Sequence, residues 1–190
     1  MKSINHFDLI APYYDRFIKP ADVTRFIAII NLPTTGYLLD AGGGTGRKSL
    51  PLKEMTSGIV IADSSLGMLS QAQAKGSSLN ICSETEQLPF KAESYERIIM
   101  VDTLHHVANF RHTLQELWRI LKPGGRLVIE EPDIRTLPVR VLAMLEKLAL
   151  MRSHFISPQI ISEELSNRGA KVVIQIDHAI AWIIADKLVP

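Results

Sequence analysis

Five short apolar runs alternate with segments of helical spacing: YLLDAG (37–42), GIVIAD (58–63), LNIC (79–82), RIIMVD (97–102) and RLVIEE (126–131). Each is β-branched and nearly continuous in its apolar character, the pattern of a strand buried on both faces rather than on one. The segments between them, about 46–56, 65–76 and 110–121, carry helical periodicity, with Leu114, Leu117, Trp118 and Leu121 on one face of the last. Strand, helix, strand in repetition implies an α/β fold, a mostly parallel, doubly wound sheet with right-handed crossovers. The helix at 110–121 is expected to stop at Lys122-Pro123-Gly124-Gly125, where proline and glycine turn the chain into the next strand. Beyond residue 131 the spacing predicts helices at about 137–152 and 158–168, then a closing strand pair, KVVIQID (171–177) and AIAWIIAD (179–186). With no repeat, low-complexity tract or linker, residues 1–190 read as one domain.

The first strand runs into LLDAGGGTGR, 38–47, which sits at the edge where open α/β sheets bind ligands. Glycines there let the backbone approach a ligand and aim amide groups into the cleft at a helix N-terminus. The dinucleotide fingerprint G-x-G-x-x-G fails, because counting from Gly42 its third glycine falls on Arg47, and counting from Gly44 it falls on Ser49. No G-x-x-x-x-G-K-[ST] phosphate loop is present either. What is present is D-x-G-x-G-x-G, made of Asp40, Gly42, Gly44 and Gly46. Gly43 lies outside that alternation, and alanine reads as tolerable there. Asp63 closes the second strand, where a carboxylate either accepts both hydroxyls of a ribose or caps the helix beginning SSLGML.

Composition narrows the partners. Of 190 residues, 21 are Lys or Arg and 20 Asp or Glu, a formal charge of +1 that offers no basic field to nucleic acid. Cys82 is the single cysteine, which excludes an internal disulfide and a multi-cysteine metal cage. The start, MKSINHFDLIAPYYD, has no uninterrupted apolar stretch of the kind a secretory leader needs, and the stretch Val141–Met151 is broken by Glu146 and Lys147. These features set the expectation of a cytoplasmic protein without stable membrane insertion.

Two further motifs, SETEQLPF (83–90) after the third strand and VDTLHHV (101–107) at the end of the fourth, complete a set. As a set, with FDLIAPYYDRF near the start and LWRILKPGGRLVIEEP later, they resemble a class I S-adenosylmethionine-dependent methyltransferase of the small-molecule, ubiquinone/menaquinone C-methyltransferase branch. The resemblance implies a Rossmann-like seven-stranded sheet whose last strand is antiparallel, with S-adenosylmethionine as cofactor, S-adenosylhomocysteine as product and no metal. It implies that Asp40 and the backbone of Gly42 and Gly44 hold the methionine end, within a loop that Gly46 completes. Asp63 would take the ribose, Ser64 with Leu66 or Met68 would line the adenine, and Glu84 and Thr85 stand where the family has Asp-Ala for the adenine amino group. Asp102 through His105 would line the methionine side facing the acceptor.

Because a sulfonium methyl is already activated, in-line placement carries most of the reaction. A general base is needed only where the acceptor must lose a proton, and His105 and His106 are the candidates, against a plain packing role for the pair. Glu130 and Glu131 end the fifth strand on the ligand edge, and read as solvated or capping carboxylates ahead of acceptor-orienting ones. Lys48 and Lys53 read as a solvated face, and Pro51 as a kink one turn into the helix after the glycine loop.

N-terminal cap helices over 1–31, with Phe7, Tyr13, Tyr14 and Phe17, and a lid helix within 132–157 are expected to cover the acceptor, which suits a small hydrophobic or planar molecule. An apolar lid equally suits a membrane surface or a second subunit, so a homodimer stays open. No Asn/Asp-Pro-Pro-Tyr/Phe motif follows the fourth strand, which argues against methylation of nucleic-acid bases or protein glutamine. Two other classes stay in view: a nucleotide-dependent oxidoreductase, which the glycine spacing opposes, and a non-catalytic binder of the same fold.

Overall fold

The computed structural model describes residues 8, 11–12, 23–77, 79–148 and 153–189. Its elements, in chain order, are α1 (Val23–Ile30), β1 (Tyr37–Ala41), a 3-10 helix (Leu50–Met55), β2 (Gly58–Asp63), α2 (Leu66–Ala74), β3 (Asn80–Cys82) and β4 (Tyr95–Val101). There follow a 3-10 turn (Leu104–His106), α3 (Phe110–Ile120), β5 (Leu121–Pro132), α4 (Leu137–Leu148), α5 (Pro158–Ser166), β6 (Ala170–Asp177) and β7 (Ile180–Lys187).

The strands form one seven-stranded sheet in the order β3-β2-β1-β4-β5-β7-β6. β1 to β5 pair in parallel, while β7 is antiparallel to both β5 and β6. The expected mixed sheet with an antiparallel last strand is therefore the one observed. The reversal of strand order between β1 and β4 places the C-terminal ends of these strands around a crevice, the usual ligand edge of such sheets.

The continuous apolar runs have a direct cause, since successive side chains point to opposite faces and both faces are covered. Leu39, Ile98, Met100, Leu127, Ile129 and Ile183 pack under Leu114 and Leu117 of α3 and Ile161 and Leu165 of α5. Leu38, Ile61, Ile99, Val128 and Ile184 pack under Phe26 and Ile30 of α1, Leu52, and Leu69 and Ala72 of α2. Each such side chain contributes about 1.5–3 kcal/mol by leaving water, so the sheet is held from both sides.

Two local expectations change. The helix read over 46–56 is only a six-residue 3-10 helix, with Ser49 before it and Pro51 in its first turn. Proline has no N–H to donate and clashes with the preceding turn, so it is tolerated at a helix start and not one turn inside. Lys122 to Gly125 lie within β5 instead of preceding it, and the resulting irregularity appears as a register shift against β4 between Tyr95 and Arg97. The 1–31 cap falls outside the described residues except at 8, 11–12 and 23–31, and Phe7, Tyr13, Tyr14 and Phe17 all lie outside them. The helix expected within 132–157 is present as α4, and residues 149–152 beyond it are outside the description.

Candidate functional site

Asp40 ends up under the glycine loop, not in the open crevice. It is 1% exposed and accepts a hydrogen bond from the Ser49 hydroxyl at 2.5 Å. A Cβ on Gly43 would lie 2.4 Å from the Asp40 carboxyl carbon, so the loop rests directly on this carboxylate. The alanine expected to be tolerable at Gly43 would overlap it, and that expectation is corrected here. Burial pushes the Asp40 carboxyl up to about 6, with Ser49, Arg47 and Lys48 pulling it down and Asp63 pushing further up.

The loop opens at Gly44. A Cβ on Gly42 would strike Thr103 Cγ2 at 2.1 Å and one on Gly46 would strike Ile61 Cδ1 at 2.7 Å, so these two glycines are closed in by packing. At Gly44, with φ +54°, the nearest atoms would be Asp63 Oδ2 and Met68 Sδ, both at 3.9 Å. The Gly44 amide donates to Asp63 Oδ2 at 2.8 Å. Bare backbone, a carboxylate and a buried thioether thus meet at Gly44. Because the following helix is a short 3-10 piece, the loop's own amides define this cradle and no helix dipole adds to it.

Asp63 is not the cap of α2. Its Oδ1 accepts from the Ser65 amide at 2.8 Å, a local turn contact, while the N-cap of α2 is Ser65, whose hydroxyl accepts from Met68 N at 3.1 Å. Burial raises its pKa, opposed by the Ser65 and Gly44 amides, and Asp8 raises it further. Ser83 N donates to Asp63 O at 3.0 Å, which brings the SETEQ turn to the same edge. Glu84 stands exposed on that rim, its pKa raised by desolvation and by the charges of Glu86 and Asp63. Thr85 points inward, its hydroxyl 3.2 Å from that of Thr113. Cys82 Sγ contacts the Ser64 carbonyl at 3.7 Å, while Leu66 is exposed.

Asp8, which the sequence did not single out, reaches this region: its carboxylate accepts from the Ser65 hydroxyl at 2.5 Å and the Gly67 amide at 2.9 Å. It ties residue 8 to the start of α2, a contact across 57 residues with no local signal.

On the other side of the crevice, the turn after β4 presents Asp102 with φ +51° and an ion pair to Arg47 at 3.0 Å. Glu130 and Glu131, read as solvated or capping, are buried, at 2% and 3% exposure. Glu131 accepts from the Thr103 and Leu104 amides and pairs with His105 Nδ1 at 2.6 Å. Glu130 faces the opposite side of β5 and binds Lys48 Nζ through both oxygens at 3.0 and 3.1 Å. Lys48 is therefore no solvated lysine; its ammonium also lies 5.5 Å from the Phe26 ring and 5.9 Å from Trp182. Burial pushes Glu130 up, with Lys48 opposing. Lys53 is exposed, as expected.

His105 is buried, stacked 4.5 Å from Phe155 and 4.0 Å from His106. Desolvation and the neighbouring His105 push His106 down to about 3, so it stays neutral at physiological pH and accepts a proton poorly. Among the described residues no cluster of His, Cys, Asp and Glu could hold a metal ion, and no helix is long and apolar enough to cross a membrane.

Residues 39–129 match the family described as a methyltransferase domain, the stretch that carries the glycine loop, Asp63, the SETEQ turn and the post-β4 turn. The chain is 32% identical over 133 residues to the demethylmenaquinone methyltransferase of Paenarthrobacter aurescens strain TC1, covering 66% of this chain and 53% of that protein. The chain belongs to the class I S-adenosylmethionine-dependent methyltransferases. A second demethylmenaquinone methyltransferase, from Corynebacterium glutamicum strain R, is 30% identical over 145 residues, 76% of this chain and 60% of that protein. The chain thus spans about half to three fifths of the length of these curated relatives.

Solved methyltransferases share the fold. A chain from the complex of the Haloferax volcanii Trm112 methyltransferase activator with its methyltransferase superposes with a TM-score of 0.83 at 18% identity, covering 98% of this chain and 100% of that one. The magnesium protoporphyrin IX methyltransferase of Synechocystis PCC 6803, solved with bound S-adenosylhomocysteine, gives 0.66 at 21% identity over 86% and 78% of the two chains.

Proposed function

We propose that the protein transfers a methyl group from S-adenosylmethionine to a small hydrophobic or planar acceptor, a reduced quinone ring being the best-supported class. The observation that carries the reading is the cradle at Gly44, where an open glycine backbone meets the Asp63 carboxylate and Met68 at the crevice. That donor set fits a nucleoside: Asp63 can take ribose hydroxyls, Met68 and Ser64 an adenine face, and Glu84 with the Thr85 amide the adenine amino edge. Asp40 acts through the loop it supports, and Asp102 borders the methionine side.

Bound S-adenosylmethionine supplies a methyl on a positively charged sulfur, which leaves as the neutral thioether of S-adenosylhomocysteine. The chain's own work is positioning, which is worth up to about 7–11 kcal/mol of barrier when geometry is right. An aromatic carbon that accepts the methyl must lose a proton. His105, with a carboxylate on its Nδ1, is the better-placed base of the pair, since His106 accepts a proton poorly. The N-terminal segment and α4 would cover the acceptor, with residues 1–190 acting as one domain.

A quinol-type acceptor is supported by the two relatives named above, and the planar substrate of the porphyrin-methylating neighbour points the same way. The reading places the protein in the cytoplasm with no nucleic-acid partner, consistent with its single cysteine and its charge of +1; a homodimer is compatible with it. A non-catalytic binder is not favoured, because the two relatives named above are methyltransferases.

The test is transfer of a radiolabelled methyl group from S-adenosylmethionine to reduced 1,4-naphthoquinone and to a cell extract. Label in an organic-extractable product supports the reading. Binding of the cofactor with no transfer to either would favour the non-catalytic binder.

A further inference from the structure

We propose that Glu131 is a positioning residue that locks the turn after β4 to the glycine loop and holds His105 in its Nδ1–H tautomer. The inference rests on the methyltransferase reading only for what that tautomer is used for.

One carboxylate serves three donors. Glu131 Oε1 accepts from the Thr103 amide at 2.9 Å and the Leu104 amide at 2.7 Å, and Oε2 lies 2.6 Å from His105 Nδ1. Two backbone amides on Oε1 favour the charged form of the carboxylate, whose Oε2 can then only accept, and we accordingly place the proton of the third bond on Nδ1. In the neutral ring the lone pair is then on Nε2. This is the arrangement by which a carboxylate fixes both the tautomer and the orientation of a histidine.

The same contacts reach the cofactor loop. The Thr103 hydroxyl lies 3.0 Å from the Gly42 carbonyl, and Gly42 has no room for a Cβ against the Thr103 methyl. Just before Thr103, Asp102 holds a left-handed backbone, φ +51°, which a non-glycine residue keeps only when its surroundings enforce it. The amides that Glu131 binds are those of the next two residues. On the far side, the His105 carbonyl accepts from the His154 amide at 2.6 Å and its ring stacks on Phe155, interplanar angle 13°. Glu131 on β5 thereby fixes, through one turn, both the glycine loop and the segment that follows the lid helix. Titratable groups beside the His105 ring include Glu131 from β5 and His106 from the same turn.

A glutamine at 131 has one accepting oxygen and one donating amide. Its NH2 must find an acceptor, and the one within reach is His105 Nδ1, which reverses the tautomer to Nε2–H. A merely structural carboxylate makes no such demand.

The experiment uses the full chain labelled with 15N-histidine, and long-range 1H–15N correlation to read which ring nitrogen of His105 is protonated; the signal is assigned by its loss in His105→Gln. The expected result is Nδ1–H in the natural protein and Nε2–H in Glu131→Gln. S-adenosylhomocysteine affinity should stay within about threefold, while the methyl-transfer rate to reduced 1,4-naphthoquinone falls on the order of 100-fold. An Nε2–H tautomer in the natural protein overturns the proposal, and that spectrum decides even if Glu131→Gln does not fold. A folded Glu131→Gln with unchanged tautomer overturns it as well. Failure of the natural protein to bind S-adenosylhomocysteine would sink the methyltransferase reading and leave the tautomer result to judge Glu131 by itself.

Discussion

Replacing Asp40 by asparagine should make the protein more stable at alkaline pH, with a benefit that fades as the pH falls. Asp40 is fully buried, and its carboxyl titrates at about 6 against 3.8 for an unburied aspartate. A carboxyl that holds its proton more tightly in the folded chain than in the unfolded one contributes stability below 3.8. That contribution is lost as the pH rises through about 6. At 1.36 kcal/mol per pH unit, ionising Asp40 in the folded protein costs about 3 kcal/mol by pH 8. Asparagine keeps an acceptor for the Ser49 hydroxyl and carries no charge to bury. The stability difference between Asp40→Asn and the natural chain should therefore shift by about 2–3 kcal/mol in favour of the variant between pH 4 and pH 8. Urea unfolding at a series of pH values measures it. A difference that is flat across this range would refute the claim that the loop rests on a desolvated, ionisable carboxylate. If Asp40 is retained to shape the loop, the stabilised variant should bind S-adenosylhomocysteine more weakly.

Gly43→Ala should destabilise the fold by about 1–3 kcal/mol, since its Cβ has no space above Asp40; an unchanged unfolding midpoint would show that the loop relaxes. Lys48→Ala leaves Glu130 buried without its cation and should cost about 3–5 kcal/mol, read by the same denaturation, whereas pairing it with Glu130→Leu should recover much of the loss. Asp63→Ala should weaken S-adenosylhomocysteine binding by roughly 1–3 kcal/mol in calorimetry, and unchanged affinity would leave Asp63 as a turn residue only.

What was legible in the sequence was whatever a strand or a loop must write locally. Ile59 to Ala62 and Ile98 to Val101 are continuous apolar runs because both faces of the sheet are covered, and that pattern needs no knowledge of which helix covers which face. Gly44 and Asp63 are legible as a pair because one lies in the loop that follows β1 and the other ends the neighbouring β2. The rest depends on groups distant in sequence. Lys48 looks solvated until Glu130, 82 residues on, is seen to take both its contacts. A carboxylate at the end of a strand reads the same whether water or the Thr103 and Leu104 amides satisfy it, so Glu131 passed as solvated. Gly43 seemed free to carry a methyl group because nothing local reveals that Asp40 turns back beneath it. Pro51 reads as a kink one turn into a helix, whereas the helical turn after the loop starts later, takes 3-10 geometry and has Pro51 in its first turn.

The central claim is that the glycine cradle at Gly44 and Asp63 holds a nucleoside with an amino-acid tail and not a dinucleotide. Isothermal titration of the full chain with S-adenosylhomocysteine, S-adenosylmethionine and NADH tests it directly. Micromolar-range binding of both sulfur compounds with no heat from NADH is the predicted result, and NADH binding, or silence with all three, would contradict it.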